Sequence, residues 1–190
     1  FHSAITNGGS LAGERVILGD TGNLGAQWHT IDVHSGGRIH ASGRDDDTQG
    51  GLPNDLFIGA NTGQKTGHVA LNIGPGGVVS SSSDIFIGGL YESGHSIAGM
   101  YSYHGTATVN VDGQGARLET SERIGIGSGG GRGLLNVRNG GSVFAGEQGV
   151  LVIGKDAETT ALRVEGEGSI FRAFYLNDAP EGGPQNYAND

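Results

Sequence analysis

An apolar residue, any residue, a second apolar residue and a glycine follow one another five times along this chain, and no other feature limits the fold as much. The copies are Val16-Ile17-Leu18-Gly19, Leu56-Phe57-Ile58-Gly59, Ile85-Phe86-Ile87-Gly88, Ile124-Gly125-Ile126-Gly127 and Leu151-Val152-Ile153-Gly154. Each is followed by a second element, an apolar-x-apolar strand with a glycine turn and one more apolar residue. Its copies are Ile31-Asp32-Val33 with Ile39, Leu71-Asn72-Ile73 with Val79, Val109-Asn110-Val111 with Leu118, Leu135-Asn136-Val137 with Val143, and Leu162-Arg163-Val164 with Ile170. A partial sixth copy surrounds Ile5, Gly8, Gly9 and Leu11.

In a strand the side chains alternate between faces, so the first and third residues share one face and the middle one points away. Each unit therefore makes a single apolar edge that it cannot bury alone, and stacking on its neighbours is the remedy. The tetrad glycines are 40, 29, 39 and 27 residues apart. The shorter spacings suit one three-strand turn, and the longer ones carry insertions of roughly ten residues. The expected fold is an all-β parallel β-helix, a solenoid of about six three-strand coils with loop insertions. It forms a single domain over residues 1–190 with a core about 30 Å long, from a strand spacing of about 4.8 Å. The recurring glycines fit corners of positive φ or close backbone approach, so Gly127→Val or Gly154→Val is expected to be worse than a change at Ser128.

Composition agrees with that pattern. The 39 glycines, the 35% hydrophobic content and the single methionine leave little for a helical core. Twenty acidic against 11 basic residues give a net charge of −9, with no run of Lys and Arg in the sequence, which argues against nucleic acid and anionic membranes as partners. Cysteine is absent, excluding disulfides and Cys-ligated zinc and suiting export in an unfolded form. No apolar run is long enough to span a membrane, and a chain opening on Phe1 is expected to be a fragment of a longer protein.

The stretch Ile126-Gly127-Ser-Gly-Gly-Gly-Arg-Gly133-Leu134-Leu135-Asn-Val137-Arg-Asn-Gly140-Gly141-Ser-Val143 resembles the glycine-rich repeat of autotransporter passenger domains, the surface-exposed part of type V secreted proteins. Residues 153–170 resemble a looser copy. The resemblance implies a right-handed coil, an extracellular location at the bacterial surface, and a tether to the outer membrane through a C-terminal translocator barrel outside this chain. It is shared by adhesins, self-associating proteins and carriers of toxins or proteases, so it implies architecture more than activity.

Two glycine motifs match nucleotide-binding fingerprints only by letters. Gly149 to Lys155 spells a phosphate loop, but Asp156 stands where a magnesium-binding Ser or Thr belongs and a strand fills the interval. Gly125, Gly127 and Gly130 spell a dinucleotide fingerprint with no helix to follow.

Asp45-Asp46-Asp47-Thr48-Gln49-Gly50 opens like a calcium loop, yet the position of the bidentate Glu holds Leu56. Asp45, Asp47 and Asp55 are the candidate ligands, with an acidic solvated insertion as the expected reading and no cofactor required. The insertion from Leu90 to His104 gathers Tyr91, His95, Tyr101, Tyr103 and His104, and Trp28 sits in another. Flat amphipathic rings suit sugars and protein partners, but a loop folded over the coil would bury the same rings. Both readings stay open. His29, His34 and His40 lack helical zinc-ligand spacing. Asp32, Asp112, Glu119 and Glu122 are carboxylates that a groove could gather. Outward positions Asp32, Asn72, Asn110, Asn136 and Arg163 form one row if the units stack in register.

The expected function is a non-enzymatic adhesin segment. Its stiff stalk would present insertions after Gly19, Ile39, Gly88 and Gly154 to a host extracellular-matrix protein, a glycan or another copy of itself. Alternatives are a polysaccharide-cleaving β-helix and a structural spacer.

Overall fold

The computed structural model describes residues 1–19, 28–43, 56–59, 68–88, 105–127, 131–146, 150–153 and 161–178. Its regular structure is entirely β, in three six-stranded sheets whose paired strands are all parallel. The first sheet stacks β1 (His2–Ile5), β4 (Trp28–Val33), β7 (His68–Ile73), β10 (Thr106–Asp112), β13 (Arg132–Arg138) and β16 (Ala161–Glu165). In the second lie β2 (Ser10–Gly13), β5 (Arg38–Ala41), β8 (Val78–Ser81), β11 (Arg117–Thr120), β14 (Ser142–Ala145) and β17 (Ile170–Arg172). The third holds β3 (Val16–Leu18), β6 (Leu56–Ile58), β9 (Ile85–Ile87), β12 (Ile124–Ile126), β15 (Val150–Ile153) and β18 (Tyr175–Asp178).

Every three successive strands place one in each sheet, and such a triplet is called a tier below. Parallel neighbours need a crossover connection. Here the other two sheets supply it, an arrangement consistent with a parallel β-helix or solenoid. Among the described residues no helix is long and apolar enough to cross a membrane.

The core runs between the sheets as rows of identical strand positions. Val33, Ile73, Val111 and Val137 stack in the first sheet, Ile39, Val79, Leu118 and Val143 in the second, and Leu56, Ile85 and Ile124 in the third, all fully buried. Each fully buried Val, Leu or Ile contributes roughly 1.5–3 kcal/mol. Burial is deepest in tiers two to five and weaker in the outer two, where Leu11 is 43% exposed and Val164 44%.

The corner between first and second sheets is a tight turn. At Gly77, whose N–H donates to Gly74 O at 2.9 Å, an added Cβ would overlap the Val33 carbonyl of the tier before. In tiers four and six the turn is one residue longer, with Gly113 and Gly166 both at positive φ. That extra residue corrects one expectation. Ile170 is the partner of Ser142 on the outward face, and Phe171 takes the inward place beside Val143. A one-residue slip exchanges the faces of a strand.

Between second and third sheets, buried Asp84 accepts from the Arg123 backbone N–H at 2.8 Å and from Arg123 Nε at 2.9 Å. The tetrad glycines Gly19, Gly59, Gly88 and Gly127 end the third-sheet strands at positive φ. A Cβ on Gly88 would also overlap the Arg132 carbonyl, so both conformation and space demand glycine there.

Candidate functional site

Stacking in register puts like positions of successive tiers side by side, which concentrates chemistry on the outward faces and at one corner. The segments 20–27, 60–67, 89–104, 128–130 and 154–160 all join a third-sheet strand to the next first-sheet strand. The framework at this corner is closed by backbone bonds. Gly59 N–H donates to Leu18 O at 2.9 Å, Gly88 N–H to Ile58 O at 2.8 Å and Gly127 N–H to Ile87 O at 2.8 Å. Gly105 N–H reaches Gly88 O at 3.1 Å, which pins together the two ends of the stretch bearing Tyr91, His95, Tyr101, Tyr103 and His104. Those five residues lie outside the described residues, as do Asp45, Asp47 and Asp55.

Trp28 is the one aromatic singled out from the sequence that falls within them. It lies not in the insertion expected from the sequence but at the head of β4, where the strand pairing already begins; it is 68% exposed and stacks on His68 with ring centroids 4.5 Å apart and planes 14° from parallel. The two are register partners at the heads of adjacent first-sheet strands, followed in the same row by Thr106 and Arg132. Phe1 stacks on His29 beside them, at 5.3 Å and 26°. His68 is absent from the residues that the sequence singles out. Its signal was available, because it precedes Leu71 by the same three residues that separate Trp28 from Ile31. His68 Nδ1 is buried and makes no hydrogen bond among the described residues.

Further along the same outward face the expected polar row is continuous. Asn72 Nδ2 donates to Asp32 Oδ1, Asn110 Nδ2 to Asn72 Oδ1 and Asn136 Nδ2 to Asn110 Oδ1, each at 2.8 Å. His2 Nε2 meets Asp32 Oδ2 at 2.6 Å. The Asn72 amide, aided by His2, holds the Asp32 carboxyl below its usual pKa against a smaller opposing effect of burial. At the other end Asn136 Oδ1 is buried with no hydrogen-bond partner among the described residues, facing the register position of Arg163.

The other carboxylates stand apart. Asp112 ends β10 on the first sheet and accepts from Asn139 Nδ2 at 2.8 Å, Glu119 lies on the second sheet, and Glu122 sits at the second corner near Ser83 Oγ. Among the described residues no three His, Asp or Glu side chains gather as a metal site. His34 and His40 bond to Ser35 and Ser80 instead.

The arrangement offers an exposed, flat indole braced from behind by an imidazole, on a rigid strand end beside the insertions. Comparison with family models, curated proteins and solved structures finds no match.

Proposed function

We propose that this chain is a non-catalytic adhesin segment of the autotransporter-passenger kind, a right-handed β-helix of six coils displayed outside a bacterial cell. In this reading the coil stack is the stalk, and the corner between the third and first sheets is the contact surface for a host glycan or matrix protein, or for a second copy. A longer chain would supply the translocator barrel in the outer membrane. Nucleic acid, membrane insertion by this segment and a required cofactor have no part in it.

The observation that carries the reading is the exposed Trp28 ring stacked on His68, at the corner where five of the connecting segments enter. Tryptophan is enriched among the residues that dominate recognition surfaces, where its flat ring and polar N–H suit both sugars and proteins. Binding of the purified protein to a panel of glycans and matrix proteins, with light scattering alongside to detect dimers, tests it. Saturable binding or reversible association, weakened about tenfold or more by Trp28→Ala with an unchanged unfolding midpoint, is the expected result. Silence in both assays, or full retention in the variant, would overturn it.

A further inference from the structure

Although the protein carries a net charge of −9, its second sheet turns a cationic face outward. The outward positions form two rows. Arg38, Val78, Arg117, Ser142 and Ile170 are successive register partners in one, and His40, Ser80, Glu119, Phe144 and Arg172 in the other. The three arginines thus occupy tiers two, four and six, about 10 Å apart along the stack axis, with Arg172 displaced by two residues along its strand into the second row. The half-buried Phe144 ring lies between two of them, with the Arg117 and Arg172 guanidinium carbons each 6.0 Å from its centroid. No insertion breaks the corner with the first sheet, where each tier turns through a few residues, and among the described residues nothing covers that flank of the face.

We propose that this face binds an acidic polysaccharide of uronic-acid residues laid along the stack, independently of the Trp28 corner. Guanidinium forks match carboxylate geometry and carry their charge at every relevant pH. Phe144 and the exposed Ile170 give the apolar side of a sugar ring a surface to cover, while Phe144 holds both flanking guanidiniums in place. The acid on the face, Glu119, pairs with Arg117 at 3.5 Å. An exposed pair of that length is worth little and yields readily to a ligand carboxylate. Nucleic acid presents a phosphate about every 3.4 Å along a strand, some three times denser than these arginines. Among the described residues Arg38 and Arg172 make no ion pair.

Polygalacturonate, neutral dextran, dextran sulfate and a single-stranded oligonucleotide are titrated into the whole protein by calorimetry at low and raised salt. Polygalacturonate is expected to bind saturably, more weakly as salt rises, and dextran not at all. The double variant Arg117→Gln/Arg172→Gln is expected to lose affinity about tenfold or more at an unchanged unfolding midpoint. Phe144→Leu should lose less, and Arg163→Gln, which removes one positive charge from the first sheet, should change affinity less than about twofold. Absent binding, equal losses from Arg163→Gln, or tighter binding of dextran sulfate or the oligonucleotide would overturn the assignment. None of these results depends on Trp28, so this proposal and the adhesin reading fail separately.

Discussion

The middle residues of the strands point away from the core in both the first and the third sheet, yet the two sheets use that position in opposite ways. In the first it carries Asp32, Asn72, Asn110 and Asn136, joined by amide hydrogen bonds. In the third it carries Ile17, Phe57, Phe86 and Gly125, with Phe57 and Phe86 each only 3% exposed. Those two rings stack at 5.6 Å, and Arg123 lies over Phe86 at 5.5 Å. A parallel sheet buried on both faces reads as a continuous apolar run, whereas a half-solvated one alternates. The outward face of a stacked sheet is therefore not simply its polar side. Each sheet has its own second environment, one built from a hydrogen-bonded row and the other from packing.

Emptying the packed row should cost most. Phe86→Ala is expected to lower unfolding stability by about 3–5 kcal/mol, the range for a large buried aromatic, measured by denaturant unfolding. A loss below about 1 kcal/mol would mean that this face behaves as ordinary surface.

Breaking the polar row should cost less. Asn110→Ala removes one rung on each side and leaves Asn72 Oδ1 and Asn136 Nδ2 without partners, an expected loss of about 1–3 kcal/mol. If Asn110→Ala matched Phe86→Ala, the contrast between the sheets would collapse.

The smallest effect is electrostatic and depends on pH. Because the folded Asp32 carboxyl titrates below its unfolded value, its contribution is present above the ordinary aspartate pKa of about 3.9 and is lost as pH falls through the lower folded value. The stability difference between wild type and Asp32→Ala should therefore shrink between about pH 6 and about pH 2.5. A difference independent of pH in that range would remove the charge from the account and leave only hydrogen bonding.

Much of this was legible in the residues. The tetrads became the third sheet and the apolar-x-apolar elements the first, because two apolar residues per strand mark both the strand and its inward face. The second sheet was harder to see. Only one of its two inward positions is strongly apolar, while the other holds Ala41, Ser81, Thr120 and Ala145, which carry almost no hydrophobic signal. The apolar pattern alone puts Ile170 inward, because turn length, which sets register, cannot be counted when the glycines themselves vary in number. The double burial of the third sheet had a readable cue, since Ile17, Phe57, Phe86 and Val152 fill a position treated as open to any residue. For the site, Trp28 stood out by type. Its pairing with His68, and the gathering of Arg38, Arg117 and Arg172 on one face, depend on register across tens of residues.

In-register stacking of the tiers underlies every one of these assignments, and the absence of native cysteine makes it directly measurable. Ala70 and Thr108 are register partners on adjacent strands, whereas Thr30 and Thr108 are separated by the strand of Ala70. Neighbouring strands lie about 4.8 Å apart, inside the Cα range that a disulfide spans, and alternate strands at about 10 Å lie outside it. Under mild oxidation the Ala70→Cys/Thr108→Cys protein should form an intramolecular disulfide, and the Thr30→Cys/Thr108→Cys protein should keep two free thiols. Cross-linking of the second pair, or of neither, would contradict the stacked register.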